Sequence, residues 1–366
     1  MQQYFAPGRI NLIGEHLDYN GGSVLPVAIS LGITANVTQR NDQIIQLSSE
    51  GMEKSYSFSL NEIPHYKEED DWANYPKGVF AHLLPHFSPP NGFHIHFKSN
   101  LPIGSGLSSS AAIEVLTAYI LRDICGQEID RKALALECQS VENKYIGVNC
   151  GIMDQFAVAN GEQNKAIFLD CVGLNYKMIP FETGEYKLLV LDTCKPRALR
   201  ESKYNERREE CERAFEILYP IVYGVIEHLP EVSQGDALAF LREANLRKRA
   251  IHVISENERV YKAKKALVEK DILTFGQLMN ESHASLQQDY EVTGKELDAI
   301  VAAAQTAEGC IGARMTGAGF GGCAIALVHF AQIEPFKERV KKLYLQKIGY
   351  ECEIYAVEVV DGVGKC

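Results

Sequence analysis

No C-x-x-C pair occurs in the sequence, and no histidine stands at zinc-finger spacing from its cysteines, which lie at 125, 138, 150, 171, 194, 211, 310, 323, 352 and 366. That excludes the common structural zinc sites and leaves reduced structural thiols as the expectation. Basic charge is also scarce. Against 48 Asp and Glu stand 37 Lys and Arg, a net charge of -11, so a protein that tracks nucleic-acid phosphates by counterion release is excluded. No charged segment followed by an apolar one opens the chain, and no uncharged apolar run reaches membrane-spanning length. A cytoplasmic protein is expected, where thiols stay reduced. There is no internal repeat and no low-complexity linker.

What is present is an ordinary globular balance over 366 residues, long enough for two compact domains. Because the overall field repels anions, an anionic ligand has to be met locally. Backbone N–H clusters, a few placed Arg or Lys and a divalent metal are the means available. Strand-like runs at 32–38, 93–97 and 165–170 alternate with helical stretches at 111–124 and 132–147. Helical spacing continues at 201–219, 250–270 and 271–288. Residues 314–329 and 351–360 read as β structure, the former broken by a glycine loop. The pattern predicts an α+β fold with an N-terminal domain over 1–180 and a C-terminal domain over 181–366.

Four stretches carry chemistry. APGRINLIGEHLDYNGG, residues 6–22, gathers Arg9, Asn11, Glu15, His16, Asp18 and Asn20. Its carboxylates and imidazole suit a loop that reads sugar hydroxyls, since carboxylates are strong acceptors; a polar turn with His16 satisfied in the core is the plainer alternative. LPIGSGLSSSAA, residues 101–112, runs into an amphipathic helix. Gly104 and Gly106 permit close backbone approach, Ser108, Ser109 and Ser110 supply hydroxyls, and a helix start attracts anions. It reads as an anion cradle or, more simply, as a serine N-cap. A P-loop is excluded, since G-x-x-x-x-G-K-[ST] is absent.

In the third stretch, residues 140–156, Glu142 ends a helical run and Asp154 sits among Ile152, Met153 and Phe156. That places Asp154 at least partly under cover, where a carboxylate needs a partner and is either structural or catalytic. In the fourth, Gly317, Gly319 and Gly322 match G-x-G-x-x-G, but the strand-like CAIALVHF follows where a dinucleotide site needs a helix. A glycine loop between strands, closing over the active site, fits better.

Taken in order, these segments resemble the galactokinases of the GHMP kinase superfamily over 6–362. GRINLIGEHLDYNGG is similar to the galactokinase signature, LPIGSGLSSSAA to the ATP motif and RMTGAGFGGCAIAL to the third motif. SKYNERREEC and ESHASLQQDYEV also resemble galactokinase segments. The resemblance implies the two-domain GHMP kinase fold with its active site between the domains. It also implies ATP-dependent phosphorylation of D-galactose at the C1 hydroxyl, the first committed step of galactose catabolism. Glu15, His16, Asp18, Gly151, Asp154 and Tyr204 would line the sugar pocket, with Arg9 and Asp154 flanking the reacting hydroxyl. Gly104, Ser105, Gly106, Leu107, Ser108, Ser109 and Ser110 would hold the triphosphate. Ser110 and Glu142 would ligate Mg2+ through oxygen, and Ser49 and Trp72 would lie near the adenosine. A monomer is expected, without nucleic-acid or membrane partners.

Leu17 stands where many galactokinases carry Thr, and is expected to trim the pocket. A kinase for N-acetylgalactosamine, galacturonate or arabinose is the neighbouring reading, since one or two side chains set such selectivity. A silent sugar and ATP sensor is the other.

Overall fold

The structure, a computed structural model, describes residues 1–102, 104–195, 200–222 and 226–366, with the backbone alone at 200–202. Alternation of apolar and polar residues explains its first layer. In the strand Phe93–Ser99, Phe93, Ile95 and Phe97 face inward and His94 and His96 outward, the period of two that a one-sided sheet requires. This strand pairs antiparallel with Pro26–Gln39, which pairs with Gln2–Asn11; the strands Ile44–Ser49 and Tyr56–Ser59 complete one edge, and Gly364–Lys365 the other. The expected strands at 32–38, 93–97 and 165–170 all lie inside observed ones.

The segment 6–22, read from sequence as one loop, is half strand. Tyr4, Ala6 and Ile10 are fully buried, so the chain stays in the sheet until Asn11 and the loop begins at Leu12. Within that strand the pairing register shifts between Pro7 and Gly8, a type of irregularity that re-aims side chains near functional sites. A Cβ on Gly8 would lie 2.9 Å from the Leu107 carbonyl oxygen. The missing side chain lets Leu107 lie against the strand, where the Arg9 N–H donates to that oxygen at 3.3 Å.

The helix Ser109–Ile124 is covered by the sheet on one side and by the helices Asn74–Leu83, Arg131–Val141 and Met153–Asn160 elsewhere. Its residues 111–118 are therefore all buried, Glu114 and Thr117 included. In the second half the strands Cys310–Met315, Cys323–His329, Tyr186–Asp192 and Glu353–Val357 form an antiparallel sheet. The helices Ile272–Ser285, Gly294–Gln305 and Ile333–Ile348 pack against its strands and one another. The helices Arg200–Leu218 and Ala244–Val268 match the expected 201–219 and 250–270 closely. A third small sheet joins Ser23–Val24, Lys165–Asp170 and Tyr176–Pro180. The last residues return to the first half: Val360 N–H donates to Ala28 O in the first sheet at 3.1 Å, and Gly362 N–H to Gly161 O, just after the helix Met153–Asn160, at 2.8 Å. One hydrophobic cluster spans both halves, and none of the ten cysteines forms a disulfide.

Candidate active site

A cavity of about 300 Å³ opens between the two halves, lined by Arg9, Glu15, His16, Asp18, Gly151 and Asp154 from the first and by Tyr204, Asn205, Gly317 and Ala318 from the second. Its size falls at the lower end for small-molecule pockets. Asp154 stands in the first turn of the helix Met153–Asn160. Arg9 grips it with two parallel bonds, Nε to Oδ1 at 2.8 Å and Nη2 to Oδ2 at 2.6 Å, and donates Nη1 to Gly106 O at 2.9 Å. One guanidinium thus ties strand, cradle and carboxylate together in the fork geometry that Arg alone provides.

Ser108 was expected among the phosphate-holding residues, but its hydroxyl is given to Asp154 Oδ2 at 2.5 Å. The cause is local: Ser108 has left-handed backbone, φ 64°, immediately before the helix, and makes no side-chain cap bond. The serine N-cap alternative therefore fails at this residue. Leu107 buries its side chain in the core and offers only its backbone. Gly104 and Gly106 hold φ of 76° and 79°, Ser109 is exposed and Ser110 half-buried, so the cradle keeps its open face at the helix start. Ser105 is buried.

Glu15 lines the cavity, yet its oxygens are already engaged. It is ion-paired to the fully buried Arg314, accepts from Asn11 Nδ2 at 3.1 Å and accepts the Gly317 N–H at 3.0 Å. Burial still pushes its carboxyl up, with Arg314 opposing. Asp18 is raised to about 7, first by burial and then by the charge of Asp154. Gly151 packs directly on it: a Cβ there would fall 1.9 Å from Asp18 Oδ2. His16 is held neutral, chiefly by burial and then by His252 and the cationic Arg207 and Arg314. Tyr204, on the helix Arg200–Leu218, places its ring 5.9 Å from that of His16. Leu17 departs from expectation. It is fully buried in the core and absent from the cavity wall, although its neighbours Glu15, His16, Asp18 and Tyr19 all line that wall.

Ser110 and Glu142 are brought together as expected, the hydroxyl bonding to the carboxylate. Glu142 opens a one-turn π-helix, Glu142–Ile146, at the end of Arg131–Val141, a distortion that recurs at functional positions. It accepts from Gln155 Nε2 at 2.5 Å, and burial, then Asp154, raise it to about 7. A hydroxyl and a carboxylate side by side suit Mg2+, which binds few protein oxygens and keeps water and phosphate oxygens for the rest. Among the described residues no group of three His, Cys, Asp or Glu is placed to hold a metal by itself. Ser49 and Trp72 stand outside the cavity wall but near each other: Ser49 pairs with Phe97, whose ring is 5.8 Å from Trp72.

Gly317, Gly319 and Gly322 lie in the turn between antiparallel strands, so the dinucleotide reading is excluded. Gly317 approaches the cradle, a Cβ there lying 3.5 Å from Gly106 O, and Ala318 lines the cavity. Sequence reasoning missed Tyr19, Asn205 and Cys150, which also line it, and Glu114, wholly buried beside Gln155 and Glu142. Tyr19 follows Asp18 directly and Glu114 is four residues after Ser110, so helical spacing was the available signal for the latter.

This fold and site define a GHMP kinase. The family described as GHMP kinases N terminal domain matches residues 74–162, and GHMP kinases C terminal matches 263–346. A mevalonate kinase from Methanococcus jannaschii shares the fold, with TM-score 0.71 at 21% identity over 98% of both chains. The galactokinase galactose-binding signature matches residues 2–39. Galactokinases of Clostridium beijerinckii and Enterococcus faecalis are 48% and 47% identical, each over 99% of this chain and 94% of the relative. The structure of Lactococcus lactis galactokinase complexed with galactose superposes with TM-score 0.94 at 43% identity, over 100% of this chain and 95% of that one. The chain belongs to the galactokinase family.

Proposed function

We propose that the chain transfers the γ-phosphoryl group of ATP to the C1 hydroxyl of D-galactose, giving galactose 1-phosphate and ADP, as the first committed step of galactose catabolism. The observation that carries this reading is Asp154, gripped by Arg9 and Ser108 on the wall of a sugar-sized cavity beside an anion cradle. Oδ2 already accepts two bonds and Oδ1 one, which leaves Oδ1 the better placed to receive a hydroxyl proton. Asp154 orients the C1 hydroxyl and takes its proton, while Arg9 holds the carboxylate in place and adds positive charge beside the transferring group. The N–H groups at the start of Ser109–Ile124 meet the phosphates. Ser110 and Glu142 would hold Mg2+, which when bound neutralises charge on phosphate oxygens. The Gly317–Ala318 turn excludes water from the reacting atoms. Asp18, His16 and Tyr204 read the sugar, and Ser49 and Trp72 mark the adenosine end.

The pocket binds one sugar beside one ATP in a single chain, which we take to act as a monomer, and no helix among the described residues is long and apolar enough to cross a membrane. We place the enzyme in the cytoplasm. ADP release that requires D-galactose, ATP and Mg2+ together is the expected result; no galactose-dependent ADP in a folded preparation would refute the proposal.

A further inference from the structure

Behind the sugar loop runs a chain of polar groups that phosphoryl transfer leaves unused. His16 Nδ1 lies 2.7 Å from Tyr19 OH, Tyr19 OH 2.9 Å from Tyr290 OH, and Tyr290 OH 3.1 Å from Cys211 Sγ. Asn20 closes the far end, its amide donating to His16 O at 2.7 Å and its side chain also bonding Cys211. Tyr290 and Cys211 are fully buried. Tyr290 comes from the segment ESHASLQQDYEV, where the helix Ile272–Ser285 runs into a one-turn π-helix, Leu286–Tyr290. That turn sets the Tyr290 ring between two imidazoles, 4.6 Å from His16 and 4.5 Å from His252. At the other end His16 Nε2 is buried without a protein partner, on a residue that lines the cavity.

Each hydroxyl and the thiol carries one proton, so donation along the chain runs in a single direction. The His16 end chooses it: a phenol is a better donor, and a neutral imidazole nitrogen a better acceptor, than the reverse pairing, as their acidities of about 10 and 6.5 indicate. Tyr290 then donates to Tyr19, and Tyr19 to Nδ1. The remaining imidazole proton sits on Nε2. Burial keeps the ring neutral, so one donor, and no second charge, faces the cavity.

We propose that Cys211, Tyr290 and Tyr19 form a positioning relay that holds His16 as the Nε2–H tautomer, presenting one fixed hydrogen-bond donor to a sugar hydroxyl oxygen. The inference rests on the cavity being the sugar site. The carboxylates of Asp18 and Asp154 in the same wall can only accept when ionised, so a fixed donor lets the pocket test a hydroxyl for its lone pair as well as its proton. A ligand lacking an oxygen at that place leaves a buried N–H unpaired.

The test uses the whole protein carrying 15N-labelled histidine, without ligand, with the His16 signals assigned from their loss in His16→Asn. The proton is expected on Nε2 in the wild type, with a mixture of tautomers in Tyr19→Phe, which keeps the ring and removes only the hydroxyl. By calorimetry, Tyr19→Phe is expected to bind galactose about 10-fold more weakly and ATP as tightly as before. Tyr290→Phe breaks the relay one step further back and is expected to shift both readouts the same way. A wild-type proton on Nδ1, or unchanged tautomer and galactose affinity in both variants, would overturn the relay. An Nε2–H tautomer in a wild-type protein that binds no galactose would support the relay and overturn the sugar reading, so the two fail separately.

Discussion

Asp154→Asn keeps the size of the side chain and removes its charge. In the wild type the carboxylate accepts three bonds, from Arg9 Nε at 2.8 Å, Arg9 Nη2 at 2.6 Å and Ser108 Oγ at 2.5 Å. An amide oxygen can replace one acceptor, but its nitrogen then faces another donor, and a buried Arg9 hydrogen is left unpaired. That costs about 1–3 kcal/mol, below the figure for a sealed ion pair, because the Asp154 side chain is 30% exposed. In a chain of this length such a loss lowers Tm by only a few degrees. The chemical loss is larger in effect: without an acceptor for the C1 proton, kcat falls by at least about 100-fold, about 2.7 kcal/mol of barrier. Steady-state ADP release at saturating substrates, with calorimetric ATP binding and a melting curve on the same sample, separates the two. Wild-type turnover in folded Asp154→Asn protein would refute the assignment of Asp154 as the proton acceptor.

Glu142→Ala and Ser110→Ala should each raise the Mg2+ requirement by about 10-fold or more while calorimetric galactose affinity stays unchanged; lost galactose affinity at constant Mg2+ dependence would show that they do not hold the metal. Gly151→Ala forces the Asp18 carboxylate aside, since the new Cβ would lie 1.9 Å from Oδ2. Overpacking of about 1–3 kcal/mol predicts a galactose KM raised about 10-fold or more with ATP KM little changed, and an unaltered galactose KM would contradict that packing. Asp18 is raised to about 7, above its unfolded value of about 3.9, so the folded state holds a proton that the unfolded state has released. Ligand-free stability should therefore fall as pH rises between about 4 and 7, while kcat/KM for galactose climbs as the carboxylate ionises. In Asp18→Asn both slopes should flatten, and a Tm profile as steep as the wild type's would remove Asp18 as their source.

The glycine turn at 316–322 was legible because a cluster of glycines stands between two strand-like runs. Burial around Asp154 was legible from Ile152, Met153 and Phe156, all buried in the structure. Its partners were not, since Arg9 lies 145 residues away and local pattern holds no trace of a contact at that separation; motif resemblance supplied the pairing. The bond of the Ser108 hydroxyl to Asp154 was not legible, since nothing local in sequence marks the left-handed backbone that accompanies it. Leu17, expected to trim the pocket because many galactokinases carry Thr there, is instead buried in the core, a placement that the sequence comparison alone does not show. The helix Ile333–Ile348 was readable and missed, with Phe336, Val340 and Tyr344 buried at four-residue spacing. Tyr19 and Tyr290, 271 residues apart, met only in three dimensions.

The central claim is tested most directly by comparing D-galactose with its C4 epimer D-glucose at equal subsaturating concentration, with NMR of the product to locate the phosphate. A pocket whose polar groups are fixed by Asp18, Gly151, His16 and Tyr204 leaves at least one buried partner unpaired when C4 is inverted, at about 1–3 kcal/mol. The predicted result is galactose preferred by about 10-fold to 100-fold or more in kcat/KM, with the phosphate on the C1 oxygen. Equal rates for the two sugars, or a phosphate on C6, would contradict it.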